Sequence, residues 1–323
     1  MAQILDKHIQ GAIAWQAKTT VANDGLVVLT ADCLAELHAA AAFLQSNPLP
    51  TTALDLADFE LAHMRELMQV VKAQLDHGIG FAILEKFPWA QYDTSICKGL
   101  HWLVMSLLGR TVAQKWNGEM VYDVLDTGNK EAIGAGVRGS KTNSRQGYHT
   151  DNSYNLPPDY VGLTCLNTAK EGGLSGLVSF ASAHNLLLDR FPEHLARLYE
   201  PFLFERYNEF SPGESAISAL PIFAFDGSNL AVRLSTGRIR MGYEAAGEPL
   251  DSKTNDALAA LDEVLEDPEL GKTFEFLPGQ TQIVNNRKIG HRRTAFIDWP
   301  EPEKRRHLVR LWVRNHGRRF YAG

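Results

Sequence analysis

The sequence predicts a mixed α+β fold, mainly β with helices, in which a mostly helical part (residues 1–110) packs on a β-rich core (residues 111–323). Apolar residues recur at helical spacing up to about residue 110, and short β-prone runs between Gly, Pro, Asn and Asp follow. Many short strands in one stretch are typical of an antiparallel sandwich or barrel. No internal repeat or linker interrupts the 323 residues, so we expect one domain.

The first part contains three stretches with apolar residues on one helical face. Thr30 is placed to cap the first, Gly78 to stop the second and Gly109 to end the third. Between the second and third, the apolar run "GFAILEKF" predicts a buried strand. The three helical stretches are "TADCLAELHAAAAFLQ", "ADFELAHMRELMQVVKAQLDHG" and "DTSICKGLHWLVMSLLG".

The second part predicts strands interrupted by two helical stretches. The first helical stretch, "SAHNLLLDRFPEHLARLYEPF", has Ser182 as a cap, and the second is "DSKTNDALAALDEVLEDPELG". Residues 129–147 carry four glycines and few apolar residues, which predicts a mobile loop that could serve as a lid. The predicted strands lie in "MVYDVL", "YVGLTCLNTA", "GLVSFAS", "PIFAFDGSNLAVRL", "TFEFLPGQTQIVNN" and "HLVRLWVRN".

Composition limits the classes of partner. The net charge is −6 without a long block of like charge, which argues against nucleic acid and anionic membranes as main partners. Cys33, Cys97 and Cys165 are odd in number and far apart, which favours a reducing compartment over a disulfide framework. The start "MAQILDKHIQ" lacks the basic and apolar runs of a signal peptide. We therefore expect a cytoplasmic protein.

The stretch "GYHTDNSY" places His149 and Asp151 two residues apart in a segment without helical character. Alone this pair is weak evidence for a metal site, because 11 His and 38 acidic residues among 323 give about one His-x-acid triplet by chance. His291 strengthens the case for a metal site, because it follows a predicted strand and a short polar loop and can point into a barrel mouth. Two imidazoles and one carboxylate form the facial triad of non-heme Fe(II) oxygenases, whereas structural zinc sites are closed by four ligands. His184 begins a helical stretch and is expected to cap or pack.

The last predicted strand carries a pair of arginines. In a strand, residues two apart share a face, so Arg306, Leu308, Arg310 and Trp312 point one way. Two charges on one face of an apolar strand are costly unless they are paired. A dianionic organic acid would pair them, because the guanidinium fork matches a carboxylate. The alternative is that Arg306 and Arg310 lie on a face of the strand that is exposed to solvent.

With these residues, the sequence resembles the taurine/α-ketoglutarate dioxygenase family of Fe(II)- and 2-oxoglutarate-dependent oxygenases. The family's H-x-D…H motif followed by Arg reads here as His149, Asp151 and His291, then Arg306 and Arg310. The resemblance covers roughly residues 70–323. It implies a double-stranded β-helix (jelly-roll) core, iron held by the two histidines and the aspartate, and 2-oxoglutarate and O2 as co-substrates that yield succinate and CO2.

The resemblance also implies roles around the iron. Ser175 in "GGLS" and Arg306 would bind the distal carboxylate of 2-oxoglutarate. Arg310 would meet the acid group of the substrate or support the co-substrate. Halogenating relatives replace the carboxylate ligand with a small residue, so the presence of Asp151 argues against halogenation.

The substrate is expected to be a small acid or amino-acid derivative, because arginines surround the ligands. The candidate substrate contacts are Arg310 and five residues chosen because they lie near the ligands in sequence: Asn152, Tyr154, Asn286, Arg292 and Arg293. Hydroxylation is the expected outcome, and desaturation or ring formation stays open. Two other functions also stay open: a non-catalytic jelly-roll that only binds a ligand, and a zinc hydrolase that uses the same metal ligands. Assembly into a homo-oligomer is possible as well.

Overall fold

The helices of the protein begin close to where the sequence predicts them. The structure is a computed structural model that describes residues 3–20 and 24–322. Short 3-10 turns lie at Ala17–Thr19, Thr51–Ala53, Leu56–Asp58, Trp89–Gln91, Gly139–Lys141 and Pro302–Lys304. In the described ranges the α-helices are α1 (Ala31–Ser46), α2 (Ala62–His77), α3 (Thr94–Ser106), α4 (Phe180–Arg190), α5 (Pro192–Leu198), α6 (Thr236–Ala246) and α7 (Ser252–Leu265). None of these helices is long and apolar enough to cross a membrane.

Capping explains the helix ends. The Thr30 side chain accepts a hydrogen bond from the amide of Cys33, as predicted, and Gly78 ends α2. The predicted cap of α4 is wrong by three residues: the Ser179 side chain accepts from the amide of Ser182, so the helix starts earlier. Helix α3 ends at Ser106, one turn before the expected Gly109.

The strands fall mainly in the predicted apolar runs. A buried strand over residues 81–84 and an eight-residue last strand are both confirmed. In chain order they are β1 (Leu26–Val27), β2 (Phe81–Leu84), β3 (Arg110–Val112), β4 (Tyr122–Val124), β5 (Gln146–His149), β6 (Tyr160–Asn167), β7 (Glu171–Gly172), β8 (Ser175–Ser179), β9 (Pro201–Glu205), β10 (Ile217–Pro221), β11 (Phe223–Phe225), β12 (Leu230–Val232), β13 (Lys272–Phe274), β14 (Thr281–Asn285), β15 (Ile289–Arg293), β16 (Phe296–Ile297) and β17 (His307–Arg314).

Two sheets form the β core. The major sheet has the order β1-β2-β14-β6-β17-β3, with β4 also paired to β17, and the minor sheet has the order β13-β8-β15-β5. Apart from the parallel β1–β2 pair, all of these pairings are antiparallel. Both sheets contribute side chains to one cavity, which therefore lies between them.

Helices cover the outer faces of the two sheets. Helices α1, α2 and α3 bury their apolar faces against the major sheet, where Leu311 and Val313 of β17 join the cluster. Helices α4, α5 and α7 pack with Tyr148 and Val178 of the minor sheet. Because Leu311 and Val313 face the helices, the alternate residues of β17 must face the cavity. The face assignment made from the sequence is confirmed.

Several short strands and one helix were not predicted, among them β9, β10 and α6. Strands β9 and β10 pair with each other, and α6 packs closely on β9. Helix α6 has the sequence "TGRIRMGYEAA", whose two glycines lower its intrinsic helix propensity. Its packing on β9 supplies the stability that the local sequence does not. Gly242 makes this contact close, because a Cβ there would lie 2.3 Å from the carbonyl oxygen of Leu203.

Candidate metal centre

Three predicted ligands meet at one end of the minor sheet. His291 on β15 is the direct cross-strand partner of His149 on β5, and Asp151 follows two residues after β5 ends. The imidazole rings have centroids 4.3 Å apart. Asp151 Oδ1 lies 3.8 Å from His149 Nε2 and 3.7 Å from His291 Nε2. One ligand atom from each residue falls within 4.8 Å of the other two, and no other such trio of His, Cys, Asp or Glu occurs in the described ranges.

The backbone fixes the protonation of the His149 ring. Its Nδ1 lies 2.9 Å from the carbonyl oxygen of Gly147, which can only accept, so Nδ1 donates. The neutral ring then presents an unprotonated Nε2 toward Asp151. Burial, followed by the neighbouring His291 ring, lowers the pKa of His149 to about 4. The ring is therefore neutral at physiological pH, as a metal ligand must be.

Asp151 is held on both its carboxylate and its backbone. Trp312 Nε1 donates to Oδ2 at 2.7 Å, and Arg310 Nη1 donates to Oδ1 at 3.2 Å. Asn286 holds the backbone, accepting from the Asp151 amide at 2.8 Å and donating to its carbonyl at 3.0 Å. Burial alone would raise the pKa of this carboxyl, but Arg310 and both histidines lower it below its usual range. Because Trp312 occupies Oδ2, Oδ1 is the oxygen that faces the imidazoles.

This donor set fits Fe(II). Two imidazole nitrogens and one carboxylate oxygen, without a thiolate, suit a divalent iron that keeps open coordination positions. The three residues line a cavity with about 90 Å³ of space for the centres of water-sized molecules. The cavity gives room for further ligands on the metal, which a closed structural zinc site would not have.

The expected co-substrate residues line the same cavity. Ser175 begins β8, and Arg306 immediately precedes β17 with its side chain turned inward. Arg306 is buried, and its Nη1 has no hydrogen-bond partner. Burial lowers the pKa of Arg306 to about 10, so it stays cationic near neutral pH. The binding of the distal carboxylate of 2-oxoglutarate by these two residues stays a prediction of the resemblance.

Arg310 is positioned by Gln114, which was not anticipated. Gln114 Oε1 accepts from Arg310 Nε at 2.8 Å, and Gln114 Nε2 donates to the Arg310 carbonyl at 2.7 Å. One terminal nitrogen of Arg310 contacts Asp151, and the other, Nη2, is buried without a partner. The guanidinium therefore borders both the metal ligands and the cavity.

The structure brings five of the six candidate substrate contacts to the cavity. Asn152, Tyr154, Arg293 and Arg310 line it, and Arg292 borders it. Asn152 adopts the left-handed backbone conformation with φ 55°, which Asn tolerates better than most residues. Its side-chain amide is already bonded to the Leu156 carbonyl and to the Tyr321 hydroxyl, so it shapes the wall.

Two candidate contacts need correction. Asn286 is fully buried behind Asp151, does not line the cavity, and is occupied by the Asp151 backbone. Arg292 borders the cavity, but its guanidinium lies on the opposite face of β15, where it bonds Glu266 and Thr273. Alternation along the strand explains the second error, because His291 and Arg293 share one face and Arg292 takes the other. His184 is buried and bonds the Tyr199 hydroxyl at 2.8 Å, which confirms its packing role.

Two arginines of the cavity wall were missed. Arg138 comes from the glycine-rich segment and forms a 2.8 Å ion pair with Glu209. Arg238 comes from α6 and is paired with Glu205 and Glu131. The segment 129–147 thus contributes directly to the wall, while its motion as a lid stays a prediction. Neither arginine lies near a ligand in sequence, so only the fold brings them to the site.

Residues 45–312 match the profile of the family described as taurine catabolism dioxygenase TauD, TfdA family. FR-33289 synthase from Streptomyces rubellomurinus is 30% identical, over 99% of this chain and 94% of that protein. Taurine hydroxylase-like protein SAT17 from Stachybotrys chartarum is 26% identical, over 95% of this chain and 82% of that protein.

Solved structures share the fold. An asparagine oxygenase in complex with Fe(II), (2S,3S)-3-hydroxyasparagine and succinate superimposes with a TM-score of 0.68, at 19% identity, over 90% of this chain and 94% of that chain. The non-heme iron oxygenase OrfP, in complex with Fe, succinate and (3S)-hydroxy-L-Arg, gives a TM-score of 0.64 at 15% identity with the same coverage. The likeness confirms the predicted jelly-roll fold with its helical N-terminal region.

Proposed function

The chain belongs to the taurine catabolism dioxygenase TauD, TfdA family of Fe(II)- and 2-oxoglutarate-dependent non-heme oxygenases, and from this premise we propose that it hydroxylates a small acidic or amino-acid-like molecule. The observation that carries the proposal is the His149, Asp151 and His291 cluster, which opens into an arginine-lined cavity. Fe(II) is the cofactor, and 2-oxoglutarate and O2 are the co-substrates.

The residues have separate tasks in this proposal. The bound iron and 2-oxoglutarate together supply the oxidising chemistry, with succinate and CO2 as products. His149, Asp151 and His291 hold the ion, and Ser175 and Arg306 orient the distal carboxylate of 2-oxoglutarate. Trp312 holds the carboxylate of Asp151 in place, and Asn286 holds its backbone. These groups fix geometry and charge, which is the share of the reaction that the protein contributes.

The charge of the wall supports an acidic substrate. Among the described residues that line the cavity, Asp151 is the one carboxylate beside six arginines. Arg292 turns its guanidinium to the opposite face of β15, so five of the arginines contribute to the charge of the wall. Arg138 and Arg238 are paired with carboxylates. Arg310 is paired with Asp151 through Nη1 only and retains an unpartnered Nη2 beside the metal ligands. A substrate acid group would satisfy this donor with a charge-assisted hydrogen bond. The hydroxylated amino acids bound to two structural relatives support the amino-acid-like class.

A substrate screen tests the proposal. Purified protein with Fe(II), ascorbate, 2-oxoglutarate and O2 would be given acids, amino acids and their neutral amide analogues. Mass spectrometry should show a gain of one oxygen in an acid and equimolar succinate, with little turnover of the amide. Loss of two hydrogens would indicate desaturation or ring formation instead. Equal turnover of neutral analogues would contradict the acidic class, and turnover without O2 in the presence of Zn(II) would indicate a hydrolase.

A further inference from the structure

Two buried arginines share one phenylalanine ring beside the candidate co-substrate residues. The guanidinium carbon of Arg293 lies 4.8 Å from the centroid of the Phe296 ring, and that of Arg306 lies 5.2 Å from it. The two charges are therefore at most about 10 Å apart. Arg293 is 5% exposed and Arg306 is 4% exposed. A pair of like charges so deeply buried requires a compensating anion.

The protein does not supply that anion as an ion pair. Arg138, Arg238 and Arg310 each have a carboxylate within 4.0 Å, but within residues 3–20 and 24–322 neither Arg293 nor Arg306 has one. Asp298 accepts from the backbone amide of Arg306 and acts on both guanidinium groups from a longer distance. Arginine keeps its charge at neutral pH, so both guanidinium groups are cations without a direct ion-pair partner among the described residues.

Both arginines line the cavity and keep an unpartnered donor. Arg293 is the cross-strand partner of Ser175, and it shares the cavity face of β15 with His291. The carbonyl of Ser144 accepts from Arg293 Nη2 and so fixes the guanidinium. Arg293 Nε and Arg306 Nη1 are buried without any partner. Two buried arginines with unsatisfied donors therefore line the same cavity as Ser175, whose hydroxyl is a third polar group there.

We propose that Arg293 is a second cation of the co-substrate site, binding the distal carboxylate of 2-oxoglutarate together with Arg306 and Ser175. This inference rests on the proposed function. A dicarboxylate placed there brings the negative charge that the two arginines lack, and its two terminal oxygens can accept from both. Succinate keeps the same terminal carboxylate, so Arg293 should retain the product as well as the co-substrate.

The test compares neighbouring arginines on opposite faces of β15. Isothermal calorimetry under anaerobic conditions, with Mn(II) in place of iron, would give the Kd values for Mn(II), 2-oxoglutarate and succinate. Arg293→Gln should weaken binding of both dicarboxylates by about 10–100-fold, the usual effect of losing a charged hydrogen bond, and leave Mn(II) binding within about two-fold. The affinity of Arg293→Lys for both dicarboxylates should fall between those of the wild type and Arg293→Gln. The matched control Arg292→Gln should bind both dicarboxylates as the wild type does.

The outcomes separate this inference from the function on which it rests. If Arg306→Gln loses 2-oxoglutarate affinity while Arg293→Gln matches Arg292→Gln, Arg293 has no part in the site, although the proposed function stands. If the wild-type protein with Mn(II) binds no 2-oxoglutarate, the proposed function itself fails. Should Arg293→Gln not fold, Arg293→Lys decides: wild-type affinity for both dicarboxylates in that variant would overturn the proposed hydrogen bond from the Arg293 guanidinium to the distal carboxylate.

Discussion

Replacing Trp312 with Phe tests how Asp151 is oriented. The indole Nε1 donates to Asp151 Oδ2 at 2.7 Å, and Trp312 is 1% exposed. The substitution removes a hydrogen bond to a charged group, which typically contributes about 1.5–3 kcal/mol. Without this donor the carboxylate can rotate toward Arg310, and a metal ion must pull it back. We therefore expect metal affinity to fall by about 10–100-fold, the usual cost of losing such a supporting contact.

Trp102→Phe is the matched control. Trp102 is also 1% exposed and its indole donates to the carbonyl of Leu54 at 3.2 Å, within the helical part and away from the metal ligands. Both variants lose the same atoms, so their packing losses should be similar, and the difference between them isolates the bond to Asp151. Anaerobic Fe(II) or Mn(II) titration measures the affinity, and urea unfolding measures the stability of each metal-free variant. Equal metal affinity in Trp312→Phe and Trp102→Phe would refute the assigned role.

Three further predictions concern the scaffold. Gly242→Ala should lower the free energy of unfolding by more than about 2 kcal/mol, because the new Cβ would lie 2.3 Å from a backbone oxygen. The control Gly237→Ala should raise that free energy by up to about 1 kcal/mol, because no atom lies within 4 Å of the position of its Cβ. Similar effects of the two substitutions would contradict the close contact at Gly242. Asn286→Ala should cost about 2–4 kcal/mol in urea unfolding by leaving the Asp151 backbone unpaired, and a raised KM with unchanged stability would instead indicate substrate contact. Burial lowers the pKa of His184 from 6.5 to about 4. The unfolded chain binds this proton first, so stability falls as pH drops from 6.5 to 4, and His184→Gln should make that slope shallower by up to about 1.4 kcal/mol per pH unit; an unchanged slope would contradict this.

The metal ligands could be predicted because their signal is local. His149 and Asp151 are two residues apart, and His291 resumes a strand after a polar loop. Strand alternation alone placed Arg306 and Arg310 on the cavity face of β17, as the structure has them. Alternation therefore sufficed to place these two side chains on the cavity face, and their roles stay a prediction.

The remaining residues depend on tertiary contacts. Asn286 precedes His291 by five residues, yet it lies behind Asp151 because the β14–β15 turn carries it past the site. Arg292 follows His291 directly, but side chains alternate along a strand, so its guanidinium lies on the face away from the cavity. Arg238 lies on α6, a helix that the local sequence does not specify because packing on β9 stabilises it. Proximity in sequence is a poor guide to the wall of a cavity that lies between two sheets.

The most direct test measures iron content and succinate release together in the wild type and in His149→Ala, Asp151→Ala and His291→Ala. The wild type should bind one Fe(II) per chain and convert 2-oxoglutarate to succinate only when O2 is present. Each variant should lose iron and succinate release while its far-UV circular dichroism stays that of the folded protein. Retention of both iron and O2-dependent succinate release by any of the three folded variants would contradict the assigned metal centre.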